Sequence, residues 1–307
     1  MSEKSVKQND AAGAAKKQRK TRLIVQALFA ALSNGYLNGW MQGTIYQGAS
    51  KKICVPGLNC YSCPGALGAC PIGSLQAVLS DKSYHISLYV VGMLMAFGAF
   101  FGRFICGWLC PFGLVQDLLY KIPGVKKIRS LPGEKHLRKL KYVVLVLLVI
   151  ILPSIVTGAG DGEPWFCKYL CPSGTLMGGI PLMISNPLLR QAAGWLFSWK
   201  MLVLVMILVM AVKISRPFCR YLCPLGAIYS FFNPFSIYRI TVDKEKCTGC
   251  GICQKTCKLD IPVFEKPNSG ECIRCGECVK ACPAQALKAG FGTGAQNKKI
   301  SKTDNEV

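Results

Sequence analysis

CTGCGICQKTCKLDIPVFEKPNSGECIRCGECVKACP, residues 247–283, contains two runs of four cysteines. Cys247, Cys250, Cys253 and Cys257 make the first run, and Cys272, Cys275, Cys278 and Cys282 the second, each spaced Cys-x2-Cys-x2-Cys-x3-Cys. This spacing wraps three thiolates around one face of a [4Fe–4S] cube and sends the fourth cysteine to the other cluster. The expected ligand sets are therefore Cys247, Cys250, Cys253 with Cys282, and Cys272, Cys275, Cys278 with Cys257. A zinc ribbon wants two separated pairs instead. Lys258 stands where a proline usually follows the first run, which is a turn position and not a ligand position.

N-terminal to this stretch the composition changes. Of the 307 residues, 51% are hydrophobic and 17% charged, against about a quarter charged in soluble domains. The apolar residues fall in blocks at 23–47, 84–105, 142–160 and 194–214. About 20 residues cross the ~30 Å of bilayer hydrocarbon, so the pattern predicts four spans. In the first, Asn34, Asn38 and Gln42 recur every four residues and share a helical face. A helix-packing face is the preferred reading, and a polar lining for a cofactor or quinone the alternative. The net charge of +22 comes without a nucleic-acid reading motif, and membrane topology accounts for it. Sixteen Lys and Arg flank the N-terminus and the loop between spans two and three, against five in the other two loops. That asymmetry predicts both termini in the cytoplasm. Residues 1–20 read as a disordered basic tail without a cleavable signal, 21–239 as the membrane domain, 240–289 as the cysteine-rich domain, and 290–307 as a second disordered tail.

The membrane domain repeats itself. Cys70-Pro-Ile-Gly-Ser-Leu precedes span two and Cys171-Pro-Ser-Gly-Thr-Leu span four, while Cys106-x3-Cys110-Pro and Cys219-x3-Cys223-Pro follow those spans. Each Cys-x3-Cys-Pro presents two thiols together, and its proline opens a new helix. Cys106, Cys110, Cys219 and Cys223 fall on the cytoplasmic side and predict one four-thiolate [4Fe–4S] site, with free thiols as the alternative. Six cysteines remain outside. Either Cys63, Cys70, Cys167 and Cys171 form an outer site, or Cys54, Cys60, Cys63 and Cys70 close one alone. Both choices leave two cysteines for a disulfide. Arg103, Lys168, Arg216 and Arg220, interleaved with the cysteines, are candidates to offset cluster charge. Only His85 and His136 occur, a poor endowment for transmembrane haem, and both read mainly as structural or solvated residues. A smaller alternative makes His85 a proton acceptor near a quinol. No phosphate loop, nucleophile elbow, HExxH or GxGxxG run is present, so hydrolysis and nucleotide-driven transport have no support.

Four spans, the Cys-x3-Cys-Pro motifs and the 247–283 stretch together resemble the NapH-type membrane ferredoxins. These are quinol-dehydrogenase subunits of periplasmic nitrate reduction, related to the polyferredoxin portions of nitrous-oxide-reductase maturation proteins. The resemblance covers roughly residues 85–288. It implies an α-helical membrane protein with a C-terminal α+β bacterial-type two-cluster ferredoxin domain, in the bacterial cytoplasmic membrane. CVPGLNCYSCPGALGACPIGSLQ, residues 54–76, and a third Cys-x3-Cys-Pro, at Cys167 and Cys171, depart from that pattern and point to an outer redox centre. The expected function is electron transfer without a catalytic site of its own. A cytoplasmic ferredoxin or similar low-potential donor would feed the clusters, and an outer-face flavin or metal redox protein, or quinol, would be the partner. The alternatives are a quinol dehydrogenase subunit and a redox sensor or assembly factor.

Overall fold

The structure, a computed structural model, describes residues 3–80, 88–155, 163–191 and 193–292, with the backbone alone for 3–9. His85 and the tail from 293 lie outside the described residues.

Short helices opened by Cys-Pro recur through the region N-terminal to residue 240. Pro71–Ser80, Pro111–Leu119 and Pro224–Phe232 each start with proline directly after Cys70, Cys110 or Cys223, and a fourth begins at Pro172 after Cys171. Proline at the first helical position gives up an N–H that has no partner there. The preceding cysteine then serves as N-cap. Gly113 N–H donates to Cys110 Sγ at 3.4 Å, Gly174 N–H to Cys171 Sγ at 3.4 Å, and Gly226 N–H to Cys223 Sγ at 3.3 Å. Cys-Pro-x-Gly is thus one repeated device that starts a helix and places a sulfur at its positive end.

The expected spans are more broken than the hydropathy suggests. Among the described residues one helix, Trp195–Lys213, is long and apolar enough to cross a membrane by itself. Leu88–Phe101 has 14 residues, a rise of about 21 Å. The third segment runs unbroken from 140 to 155, with a π-helical stretch at Leu145–Ile151. The first expected span is two helices, Glu3–Ser33 and Leu37–Gln42. Asn34 and Ser33 cause the break by turning back onto the last carbonyls, Asn34 Nδ2 donating to Ala30 O and Ser33 Oγ to Phe29 O. Asn34 therefore does not share a continuous helical face with Asn38 and Gln42.

The N-terminal tail is also corrected. Residues 3–20 belong to the long first helix, because its cations have partners. Arg19 and Arg22 reach Glu277 at 3.0 and 3.4 Å, and Arg22 reaches Asp117 at 3.0 Å.

The cysteine-rich domain is framed by Tyr238–Val242 (β1) and Leu287–Phe291 (β2), paired antiparallel with Tyr238 opposite Phe291. Gly290 and Phe291, expected in the tail, are part of this ladder. Ile240, Leu259, Ile261, Val263 and Leu287 form the core beneath the cysteines.

Candidate iron–sulfur centres

Two cavities in the C-terminal domain sort its eight cysteines. Cys247, Cys250, Cys253 and Cys282 line one, with Phe264, Pro283 and Leu287 around them. Cys257, Cys272, Cys275 and Cys278 line the other, beside Arg22, Asp117, Lys258 and Glu277. Burial pushes the Cys272 thiol up to about 12 and that of Cys275 up to about 11. Thiols this buried need a metal to hold them as thiolates. Among the described residues no three His, Cys, Asp or Glu side chains converge on a single ion. Four cysteines around each cavity, drawn from two Cys-x2-Cys-x2-Cys-x3-Cys runs with the fourth exchanged, are the donor sets that two [4Fe–4S] clusters take.

Cys106, Cys110, Cys219 and Cys223 are all buried and near enough to act on one another's charge. They come from two copies of one motif, RFICGWLCPFG at 103–113 and RPFCRYLCPLG at 216–226. The two arginines cross over reciprocally. Arg103 Nη2 donates to Cys219 O at 2.8 Å, and Arg216 Nη1 donates to Cys106 O. Arg216 adopts φ 52°, a left-handed conformation that disfavours side chains with a Cβ. Asp117 holds it there with two bonds, at 3.0 and 2.6 Å.

Gln116, which the sequence reading passed over, completes this set. Its Nε2 donates to Cys219 Sγ at 3.2 Å while Phe218 N–H donates to its Oε1 at 3.1 Å. The signal was available, since Cys-Pro-x-Gly-x-x-Gln occurs at 70–76 and again at 110–116. N–H donors to a cluster's sulfurs raise its potential. Gln116→Leu should lower the midpoint of the centre held by Cys219 by several tens of mV, taking ~59 mV per tenfold for one electron. A redox titration followed by EPR checks it, and an unmoved midpoint would remove Gln116 from this role.

Two of the four candidate cations face elsewhere. Lys168 is ion-paired with Glu163 at the surface and its ammonium lies over the Tyr169 ring. Arg220 pairs with Glu134 and donates to Arg129 O at 2.9 Å and Leu259 O at 3.3 Å. It fastens the 129–134 loop to the C-terminal domain. On the opposite side of the cysteine pattern, Cys60, Cys70, Cys167 and Cys171 line one cavity, which Cys63 and Cys54 do not. Cys63 lies beside Lys51, and the Cys54 thiol meets Ser74 Oγ at 3.4 Å.

The second C-terminal cysteine set sits directly on the Cys106–Cys223 set. A Cβ on Gly107 would stand 2.2 Å from Ile273 O, so only glycine lets the two backbones meet. Arg103 Nη1 donates to Glu271 at 2.9 Å and to Gly270 O at 3.1 Å. Trp108 Nε1 donates to Arg274 O at 3.1 Å. Asn233 Nδ2 donates to Cys272 O at 2.9 Å, and Arg274 Nη2 to Asn233 O at 2.6 Å. Gly107→Ala should destabilise this docking by about 1–3 kcal/mol. It should appear as faster proteolytic release of the C-terminal domain with its clusters retained, and an unchanged cleavage rate would contradict the tight contact.

These arrangements define an iron–sulfur protein of the ferredoxin type. A 4Fe-4S binding domain family matches residues 84–130, 142–185 and 195–237, and a second 4Fe-4S binding domain family matches 240–262 and 266–288. The chain is 35% identical to the uncharacterized protein MJ0749 of Methanocaldococcus jannaschii, over 68% of this chain and 72% of that protein. It is 30% identical to MJ0750 of the same organism, over 72% and 86% of the two chains. With the ferredoxin-type protein NapH of Haemophilus influenzae it shares 27% identity over 88% and 87%. No solved structure matches. The chain belongs to the ferredoxin-type polyferredoxin family that includes the NapH proteins.

Proposed function

We propose that this protein is a membrane-embedded electron conduit. It takes electrons from a low-potential cytoplasmic donor, such as a soluble ferredoxin, into its C-terminal clusters and passes them into the membrane domain. The observation that carries this reading is the seating of the Cys272–Cys275 loop on Cys106–Gly107. It brings Ile273, which lines the cavity of Cys257, Cys272, Cys275 and Cys278, into backbone contact with Gly107, next to Cys106 of the other set. Bound clusters would supply one-electron carriers at each set, and the contact of Ile273 with Gly107 supports one order of transfer. Cys247, Cys250, Cys253 and Cys282 come first, then the Cys257 set, then the Cys106–Cys223 set.

A membrane location is supported by side chains that no soluble surface accommodates in such number. Ile24, Leu28, Leu88, Met95, Leu202 and Met206 are all more than half exposed, on three different apolar segments. The Lys and Arg asymmetry supports cytoplasmic termini.

Stopped-flow spectroscopy on the anaerobically purified whole chain tests the conduit. Reduced ferredoxin should bleach the C-terminal clusters and then a further centre. Cys219→Ser should abolish the later phase and leave the first. Rapid reduction by a quinol analogue with no response to ferredoxin would replace the conduit by a quinol dehydrogenase. Slow exchange with both would replace it by a sensor or assembly factor.

A further inference from the structure

We infer that Cys60, Cys70, Cys167 and Cys171 hold a second membrane-domain [4Fe–4S] cluster, at a site built as a copy of the Cys106–Cys223 site. The inference rests on the conduit reading and extends it by one centre.

The copy is visible in the hydrogen bonds. Gln76 Nε2 donates to Cys167 Sγ at 3.3 Å while Phe166 N–H donates to Gln76 Oε1 at 3.0 Å. These are the bonds that Gln116 makes with Cys219 and Phe218, at 3.2 and 3.1 Å. Both glutamines are fully buried. The four sulfur-bearing side chains meet over two glycines. A Cβ on Gly174 would be 3.7 Å from both Cys171 Sγ and Cys60 Sγ, and one on Gly73 would be 3.8 Å from Cys70 Cβ and 3.9 Å from Cys167 Sγ.

Between them lies a cavity of about 910 Å³. Asn59 lines it at 1% exposure, with both amide atoms unpartnered. A buried amide without protein partners is costly, so this side chain marks the cavity as a place where a polar or charged group binds. Lys200 also lines the cavity, and Lys51 lies beside Cys60 and Cys63. Neither has a carboxylate partner among the described residues, and both are placed to balance the negative charge of a four-thiolate cluster.

The site is also within reach of its twin. Residues 56–58 fold inward until a Cβ on Gly57 would stand 3.3 Å from Cys110 Cα. Tyr229, fully buried, donates from its hydroxyl to Pro56 O at 2.9 Å. Gly57 thus packs on the Cys110 turn while the next residue, Leu58, lines the cavity of Cys60, Cys70, Cys167 and Cys171, so one short segment joins the two sites.

Iron and acid-labile sulfide on the anaerobically purified whole chain, with EPR of the reduced protein, test this. Four clusters give ~16 irons per chain. Cys60→Ser should lose ~4 of them and one EPR signal, with the C-terminal signals retained as evidence of folding. Cys63→Ser should lose nothing, and Gln76→Leu should shift the midpoint of that one signal. Wild-type protein at ~12 irons, zinc in place of iron, or loss with Cys63→Ser but not with Cys60→Ser would overturn the assignment. Cys219→Ser keeps the two ideas apart. If it also loses no iron, the Cys106–Cys223 centre fails, whereas a loss there beside none with Cys60→Ser sinks only the second cluster.

Discussion

Replacing Asp117 by alanine is expected to destabilise the protein by about 3–5 kcal/mol, the usual cost of removing one partner from a buried charge pair. Asp117 is 3% exposed and sits between Arg22, at 3.0 Å, and Arg216, at 2.6 Å, themselves 2% and 1% exposed. Its loss leaves Arg216 without an acid partner among the described residues and Arg22 with Glu277 alone, at 3.4 Å. It also frees Arg216 from the left-handed backbone conformation that places its guanidinium on Cys106 O. Burial alone would raise the Asp117 pKa, but Arg216 and Arg22 together hold the carboxyl well below the usual carboxylate range. The stabilisation is therefore fully present above the unfolded value near ~4 and fades as pH falls further, toward the folded value. Thermal unfolding of the detergent-solubilised chain at neutral pH measures the effect, with Arg22→Ala and the double variant to isolate the pair. A loss under about 1 kcal/mol, typical of exposed pairs, would show that the network is not the clamp described here.

Cys257→Ala carries the second large effect and tests the exchange of ligands between the two runs. Cys257 belongs to the first run, yet it lines the cavity of Cys272, Cys275 and Cys278. The variant should lose ~4 irons and the EPR signal of that cluster, while the cluster of Cys247, Cys250, Cys253 and Cys282 persists. The lost cluster's cavity is bordered by Asp117, Ser215 and Ile273, whose carbonyl packs on Gly107, whereas the other C-terminal cavity is lined only by residues from 247 to 287. Reduction from a ferredoxin donor should accordingly stop at the first centre. Loss of the other signal would reverse the assignment of fourth ligands.

These expectations divide by how far apart their residues lie in sequence. Cys-x2-Cys-x2-Cys-x3-Cys keeps successive thiols within about one turn of each other, so the first three cysteines of each run read as one group from spacing, whereas Cys257 and Cys282 each line the cavity of the other run. Spacing also suffices for Cys-Pro-x-Gly, where N-cap, proline and the glycine N–H donor are neighbours along the chain. Hydropathy likewise located the apolar segments, but it did not see that Asn34 caps a helix end, because the averaging that finds a span erases a single polar residue.

The tertiary structure decided the rest. Cys60 and Cys63 sit three residues apart with similar surroundings in sequence, and only the packing of Gly174 and Gly178 against the Cys60 sulfur brings that residue, and not Cys63, to the shared cavity. Arg19 and Arg22 read as tail charges until the fold brings Glu277, more than 250 residues distant, against them. Gln116 and Cys219 meet across 103 residues, and Lys168 and Arg220 find carboxylates where their neighbours in sequence are cysteines. Thiolate spacing is local chemistry that a sequence carries in full. Which cation, amide or fourth thiol faces a site is fixed by close packing between distant segments, and that packing is settled only when the chain has folded.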